Sequence, residues 1–418
     1  MQTLLRVMAA TLIAGSAAVA ESTQGDVALR TQTLSSPVKA PAGQPQLSVS
    51  SRGVLLSWIE RTGTRSTLKF AERTPAGWSA PRVAAAGDDW FVNWADVPSV
   101  LRLSSGTLVA HWLQKSGPGT YAYDVRLSRS SDDGKTWSSS ITPHHDGTKT
   151  EHGFASLFEF PVSSLGLVWL DGRAMHPETH EMPATGGAMT LRFGAFDRSG
   201  KQSVETAVDL RVCECCPTAV AVTADGPIVA FRNRTEQEIR DIYVSRLDGG
   251  KWSEPRPVAN DGWNITGCPV NGPAIAARGK TVVVAWFTGK ENQNRAFVAF
   301  SNDAGRTFGS PLRLDDTSTL GRVDVELLDD GSAIASWIES AASITEFRVR
   351  RVEPSGVRSQ PTTIAPMTTA RSSGYPRIAR NGTELVMAWV DAPTTAGATR
   401  AGETLVKTAI AQLPRFGR

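Results

Sequence analysis

Short apolar runs alternate with polar, glycine-rich turns along the chain, and one run returns seven times with an aromatic at its end. It reads Leu55-Leu-Ser-Trp58, Val109-Ala-His-Trp112, Gly166-Leu-Val-Trp169, Ile228-Val-Ala-Phe231, Val283-Val-Ala-Trp286, Ile334-Ala-Ser-Trp337 and Val386-Met-Ala-Trp389. The closing aromatics lie 54, 57, 62, 55, 51 and 52 residues apart. Around each run the pattern is the two-residue alternation of half-buried strands, as in Asp124-Val-Arg-Leu-Ser-Arg-Ser130, and no helical period intervenes. A steady strand-rich period near fifty predicts an all-β propeller with one four-stranded sheet per repeat. Seven runs predict seven blades, with six as the alternative count.

The ends of the chain fit that ring. The last repeat stops after three strands, at Leu405-Val-Lys-Thr-Ala-Ile-Ala-Gln412, whereas Val27-Ala-Leu-Arg-Thr-Gln-Thr-Leu34 precedes the first repeat with nothing local to pair with. The N-terminal strand is therefore expected to complete the last blade and remove the two open sheet edges. Before it, Arg6, an apolar run from Val7 to Ala20 and Ala18-Val-Ala20 ahead of Glu21 predict a secretory signal over residues 1–20. One propeller over residues 21–418, periplasmic or secreted and monomeric, is the expected product. The run is too short to span a bilayer.

Composition changes little in this picture. Of the 418 residues, 44 are Lys or Arg and 41 Asp or Glu, a net charge of +3 that calls for neither nucleic acid nor an anionic membrane as partner.

The unusual residues fall on one expected face, made by the loops that lead into each innermost strand and those joining second to third strands. These loops carry all four cysteines and five of the six histidines. Cys213, Cys215, Cys216 and Cys268 open two adjacent repeats and are expected to be neighbours. Their even number in an exported chain predicts two disulfides, Cys213 with Cys215 or Cys216 and the remaining one with Cys268. The competing expectation is a thiolate site for a soft metal such as copper, with His144, His145 or His152 as added ligands. His144, His145 and His152 also flank Asp146 and Glu151 within nine residues, a density that suggests a site. Asp171 and Arg173 close a tight turn, as a structural ion pair or as part of that site. Arg232, Arg234 and Arg240 share a short loop with Glu236, Glu238 and Asp241, where arginines can grip a carboxylate or sulfate. Arg322, Asp324 and Arg377 begin innermost strands and are expected to face a central funnel, with Tyr375 beside Arg377.

Two octets give a resemblance to a known family. Ser130-Ser-Asp-Asp-Gly-Lys-Thr-Trp137 and Ser301-Asn-Asp-Ala-Gly-Arg-Thr-Phe308 fit, wholly and nearly, the Asp-box Ser-x-Asp-x-Gly-x-Thr-Trp. Together with the repeat, they make the mature chain resemble the sialidase superfamily. That resemblance implies a glycoside hydrolase acting on an anionic sugar without a required cofactor. It implies three arginines for the substrate carboxylate (Arg232, Arg322, Arg377), a tyrosine–glutamate nucleophile (Tyr375 with Glu238) and an acid (Asp96 or Asp146). Arg173, His144 and His152 would add substrate contacts. The chain departs from the family in its seven repeats where sialidases have six blades. It also lacks the Phe/Tyr-Arg-Ile-Pro segment, for which Asp96-Val-Pro98 is the nearest shape. The alternative function is a non-enzymatic periplasmic protein that binds copper, a glycan or a protein through its Cys/His face.

Overall fold

Each aromatic-ended run becomes the second strand of an antiparallel blade sheet, because it must be buried on both faces. The computed structural model describes residues 29–39, 41–160, 164–175, 187–342, 344–392 and 404–414. The expected signal segment, residues 1–20, lies outside them. Seven sheets form a propeller, and the only helical pieces among the described residues are two single turns, Lys290–Asn292 and Arg371–Ser373. No helix among them is long and apolar enough to cross a membrane.

Blade one runs Ala42–Ser50, Gly53–Thr62, Arg65–Thr74 and Arg82–Gly87 from the centre outward. Blade two has Ser99–Arg102, Leu108–Lys115 and Tyr123–Ser130, its fourth position reduced to a bridge between Leu127 and Ile141. Blade three comprises His152–Phe160, Ser164–Asp171, Thr190–Phe196 and Gln202–Asp209. Blades four, five and six begin with Ala219–Thr223, Ala274–Arg278 and Thr319–Leu327. In blade seven, Arg377–Asn381, Glu384–Asp391 and Leu405–Gln412 are completed by Thr31–Leu34, which pairs antiparallel with the outer edge. The closure expected from the sequence is what the fold shows; Val27 and Ala28 lie outside the described residues.

The core is distributed around the ring. Seven apolar clusters occupy the interfaces between neighbouring sheets, among them Val54, Leu56 and Trp58 against Val386 and Ala388 where the last blade meets the first. Trp58, Trp169, Trp286 and Trp337 are fully buried. A buried indole N–H needs an acceptor, and three tryptophans find one two residues on, along the same strand face. Trp58 donates to Glu60 (2.9 Å), Trp169 to Asp171 (2.9 Å) and Trp337 to Glu339 (2.5 Å).

The two octets form matching turns. Asp132 accepts the N–H groups of Lys135 (3.1 Å) and Thr136 (2.9 Å), and Asp303 those of Arg306 (3.0 Å) and Thr307 (2.9 Å). For Asp303, burial is outweighed by these bonds and the Thr307 and Ser301 hydroxyls, which hold the carboxyl down at about 2. Gly134 has φ +79°, and a Cβ there would lie 2.6 Å from the Phe70 ring. Gly106 has φ +89° with open space around it. Gly134→Ala is therefore expected to cost more stability than Gly106→Ala, on the order of 2–3 kcal/mol against about 1; urea unfolding of the two variants checks the order.

Candidate functional site

The mouth where blades two and three meet is built from strand ends. Tyr123 opens the third strand of blade two, and His152 opens the innermost strand of blade three, opposite Asp171 in the register. A parallel bridge between Tyr123 and Glu151 ties the two blades together. Since successive side chains on extended backbone point to opposite sides, Tyr123 and Glu151 face one way and Asp124 and His152 the other.

On the first side lies a buried proton chain. Tyr123 donates to Glu151 (2.5 Å), and Asp96 Oδ2 lies 3.4 Å from the same phenol oxygen. Burial raises the Asp96 carboxyl to about 8, although the Phe154 N–H opposes the shift; the nearby Glu151 adds to it. At neutral pH Asp96 thus keeps its proton. Asp96 Oδ1 has no hydrogen-bond partner. The residue borders a central cavity of about 530 Å³, whose lining includes Arg377, Asp324 and Tyr375. Glycine at 153 is required here, because a Cβ would stand 2.2 Å from Asp96 Oδ2.

On the second side, the His144 and His152 rings stack with centroids 3.7 Å apart and planes within 4°. Asp146 Oδ2 lies 3.2 Å from a nitrogen of each ring, Nδ1 of His144 and Nε2 of His152. Burial and the neighbouring His152 push His144 down to about 3. For His152 the burial penalty is overcome by Asp146, Asp171 and Asp124, and its pKa rises. Arg173 grips Asp171 with two bonds of 2.7 Å and reaches Glu205 at 2.8 Å and Asp146 at 3.5 Å. The loop that follows Arg173, residues 176–186, lies outside the described residues. His145 is exposed and meets Gln202. His111, the histidine on a strand, is buried against Ser99.

The cysteines gather at the mouth of blades four and five, as expected, but form no disulfide. Cys213 Sγ lies 3.4 Å from Cys216 Sγ and 3.8 Å from Cys215 Sγ, distances of contact rather than of a bond. Cys268 lies 3.5 Å from Glu214 and also hydrogen-bonds the Cys215 thiol. The expected disulfide scaffold is thus corrected to four thiols. The histidines expected as added ligands do not join them: His144 and His152 are held by Asp146, and His145 by Gln202. Burial opposes ionisation of Cys213, yet bonds from Cys215 and Cys216 and the Arg240 charge hold its thiol well below the ordinary value. The dense charged loop folds onto this cluster: Glu214 accepts from Arg234 (3.0 Å) and Arg240 (3.1 Å), and Glu238 accepts from the same two arginines.

The remaining residues named from the sequence fall into separate settings, with Arg322, Tyr375 and Arg377 grouped around Trp94 and Arg232 and Glu238 elsewhere. Arg232 donates to the carbonyls of Asn271 (2.9 Å), Arg240 (2.6 Å) and Phe287 (2.8 Å) and covers the Trp263 ring. Arg322 donates to the carbonyls of Ala370 (3.3 Å) and Gly374 (3.0 Å) and stacks over Trp94. Tyr375 donates to the Val270 carbonyl (2.6 Å), so it is tied to backbone while Glu238 is tied to arginines. Arg377 lies over the Tyr375 ring and borders the cavity, as expected of a funnel residue. The tyrosine–glutamate contact that does form is Tyr123 with Glu151. Tyr123, Asp124, Glu214 and Trp94 escaped the sequence reading. The first two sit where a second-to-third loop re-enters its strand.

No protein-family model matches the sequence, and no curated protein matches it. Among solved structures the chain is similar to a protein of unknown function from Dyadobacter fermentans, at 13% identity and TM-score 0.53, over 92% of this chain and 98% of that one. It is also similar to the polysaccharide lyase Uly1, at 11% identity and TM-score 0.51, over 90% of each chain. The K499G mutant of the NanB sialidase from Streptococcus pneumoniae aligns over 91% of this chain and 95% of its own, at 9% identity and TM-score 0.45. What is shared at such identities is the propeller.

The environment of Arg232 makes a direct forecast. Arg232→Ala strands three buried carbonyls and should destabilise the fold by about 3 kcal/mol, whereas Arg377→Ala, which strands no carbonyl, should cost less. Chemical unfolding of both variants tests the contrast.

Proposed function

We propose that this chain is an exported carbohydrate-active propeller that cleaves a glycosidic bond in an anionic sugar, as a hydrolase with Asp96 as its proton donor. The observation that carries the reading is a carboxyl kept protonated at neutral pH on the wall of a cavity of about 530 Å³, within the size range of ligand sites. A general acid needs its pKa near the working pH, and Asp96 meets that requirement. Tyr123 and Glu151 hold the Asp96 carboxyl in place beside the cavity. Arg377 is the cationic group at hand for a sugar carboxylate or sulfate. The lyase fold likeness supports a carbohydrate polymer as the substrate class, since Uly1 is a polysaccharide lyase. A sialidase-type nucleophile is not part of the proposal, because Tyr123 stands in contact with Asp96 and leaves no room for a sugar between them.

Sialosides and uronate-containing or sulfated polysaccharides should be screened for new reducing ends and for unsaturated products. Asp96→Asn is expected to lower kcat by roughly a hundredfold or more, and Arg377→Ala to raise KM. Activity should fall as pH rises past about 8, when Asp96 loses its proton. The sign for stability is the same: with its folded pKa raised, Asp96 stabilises the native state at low pH, and this contribution is lost between about 4 and about 8. An active enzyme indifferent to Asp96→Asn would end this assignment.

A second reading rests on the sulfur cluster: a site for a soft cation such as Cu(I). Three buried sulfurs, with Cys216 and Cys215 at 3.4 Å and 3.8 Å from Cys213 and Arg240 favouring the Cys213 thiolate, match what such a cation requires. Protein isolated from its native compartment should retain about one equivalent of copper, lost in Cys213→Ser, and X-ray absorption should show sulfur ligands. Metal-free protein with four titratable thiols would dispose of it.

A further inference from the structure

The histidine pair at blades two and three has a second side, turned away from Asp146. Each ring spends one nitrogen on Asp146, and His152 Nε2 also faces Asp171 at 3.7 Å. The other nitrogens, Nε2 of His144 and Nδ1 of His152, are buried and have no hydrogen-bond partner. Both point toward Asp124 Oδ1, at 3.8 Å and 3.7 Å, and that oxygen is itself buried and unpartnered. The His144 and His152 side chains are only 4% and 0% exposed. Three orphaned ligand atoms at one point ordinarily carry a desolvation cost. A single cation among them would satisfy all three.

We propose that Asp124, His144 and His152 bind a divalent transition-metal ion of the zinc type, independently of the carbohydrate site and of the cysteine cluster. Two imidazoles and one carboxylate suit Zn²⁺ and its neighbours rather than Cu(I) or Ca²⁺. Ligand atoms about 2.0–2.1 Å from Zn²⁺ stand roughly 3.4 Å apart in a tetrahedron, slightly closer than the present 3.7–3.8 Å spacings to Asp124. The surroundings match the outer shell of a metal site. A carboxylate accepting from the far nitrogen of each imidazole fixes its tautomer and leaves the near lone pair for the metal. Asp146 holds that place for both rings, itself fixed by the Thr148 N–H (2.9 Å), and Asp171 is fixed by Arg173 and Trp169. The alternative grouping of Asp146, His152 and Asp171 is already filled with hydrogen bonds and an arginine, which leaves the Asp124 side. Binding asks one adjustment. Parallel rings aim their lone pairs along parallel lines, so the pair must splay toward a shared ion. Bound there, the cation would staple the third strand of blade two to the first of blade three, directly behind Tyr123 and Glu151.

The test uses the purified chain, stripped with a chelator and titrated with Zn²⁺ by calorimetry and with Co²⁺ by absorption. A variant with all four cysteines replaced by serine removes the competing thiols. It should bind one equivalent of Zn²⁺, and its cobalt form should show ligand-field bands without sulfur charge transfer. Adding Asp124→Asn or His144→Ala should abolish that equivalent with circular dichroism unchanged. Asp146→Asn should weaken it by roughly tenfold to a hundredfold. If the cysteine-free chain does not fold, the comparison is made in the wild-type background. There Asp124→Asn should remove the sulfur-free cobalt bands and one equivalent of Zn²⁺. No binding, or binding that survives Asp124→Asn and His144→Ala, overturns the proposal.

Discussion

Face-to-face packing of neighbouring sheets is the interaction on which everything else here depends. A blade has two apolar faces and no core of its own, so each can be buried only by the blades on either side. Stability therefore requires a closed ring, and the seven apolar clusters between sheets are that requirement made visible. The pairing of Thr31–Leu34 with Leu405–Gln412 closes it with strands from opposite ends of the chain. Buried tryptophans fill the wedges between blades, and their indole N–H groups draw a carboxylate into the sheet two residues later. Asp171 shows how this scaffold reaches the chemistry: the carboxylate that caps Trp169 also anchors Arg173 and faces His152.

A rigid ring lets strand alternation separate two kinds of site across one backbone bridge. Tyr123 and Glu151 form a proton chain to Asp96 at the cavity, while Asp124 and His152, one residue on, converge on the far side. Neither arrangement needs an unusual backbone over these residues. Each follows from a two-residue period and from blades two and three meeting at a fixed distance.

The arginines show the converse, one residue type with different fates. Arg232 and Arg322 are absorbed by backbone carbonyls and aromatic rings at the blade mouths, where inlet loops leave acceptors without strand partners. Arg234 and Arg240 are committed to Glu214, Glu238 and a thiol. Only Arg377 among the three arginines suggested by the sialidase resemblance borders the cavity.

The seven blades, the closing strand and the face that collects the cysteines and histidines were legible in the chain alone. Each depends on periodicity or chain order, which a repeat fold converts directly into position. The partners of individual side chains were not legible. Tyr123 and Glu151 are 28 residues apart, and Asp96 comes from a third segment, so their contact exists only once two blades have packed. The same holds for Asp124 with His144 and His152, and for Cys268, which meets both Glu214 and the Cys215 thiol. A sequence records which groups reach the mouth of the propeller; which of them meet, lose water and shift their protons is decided by the packing of the ring.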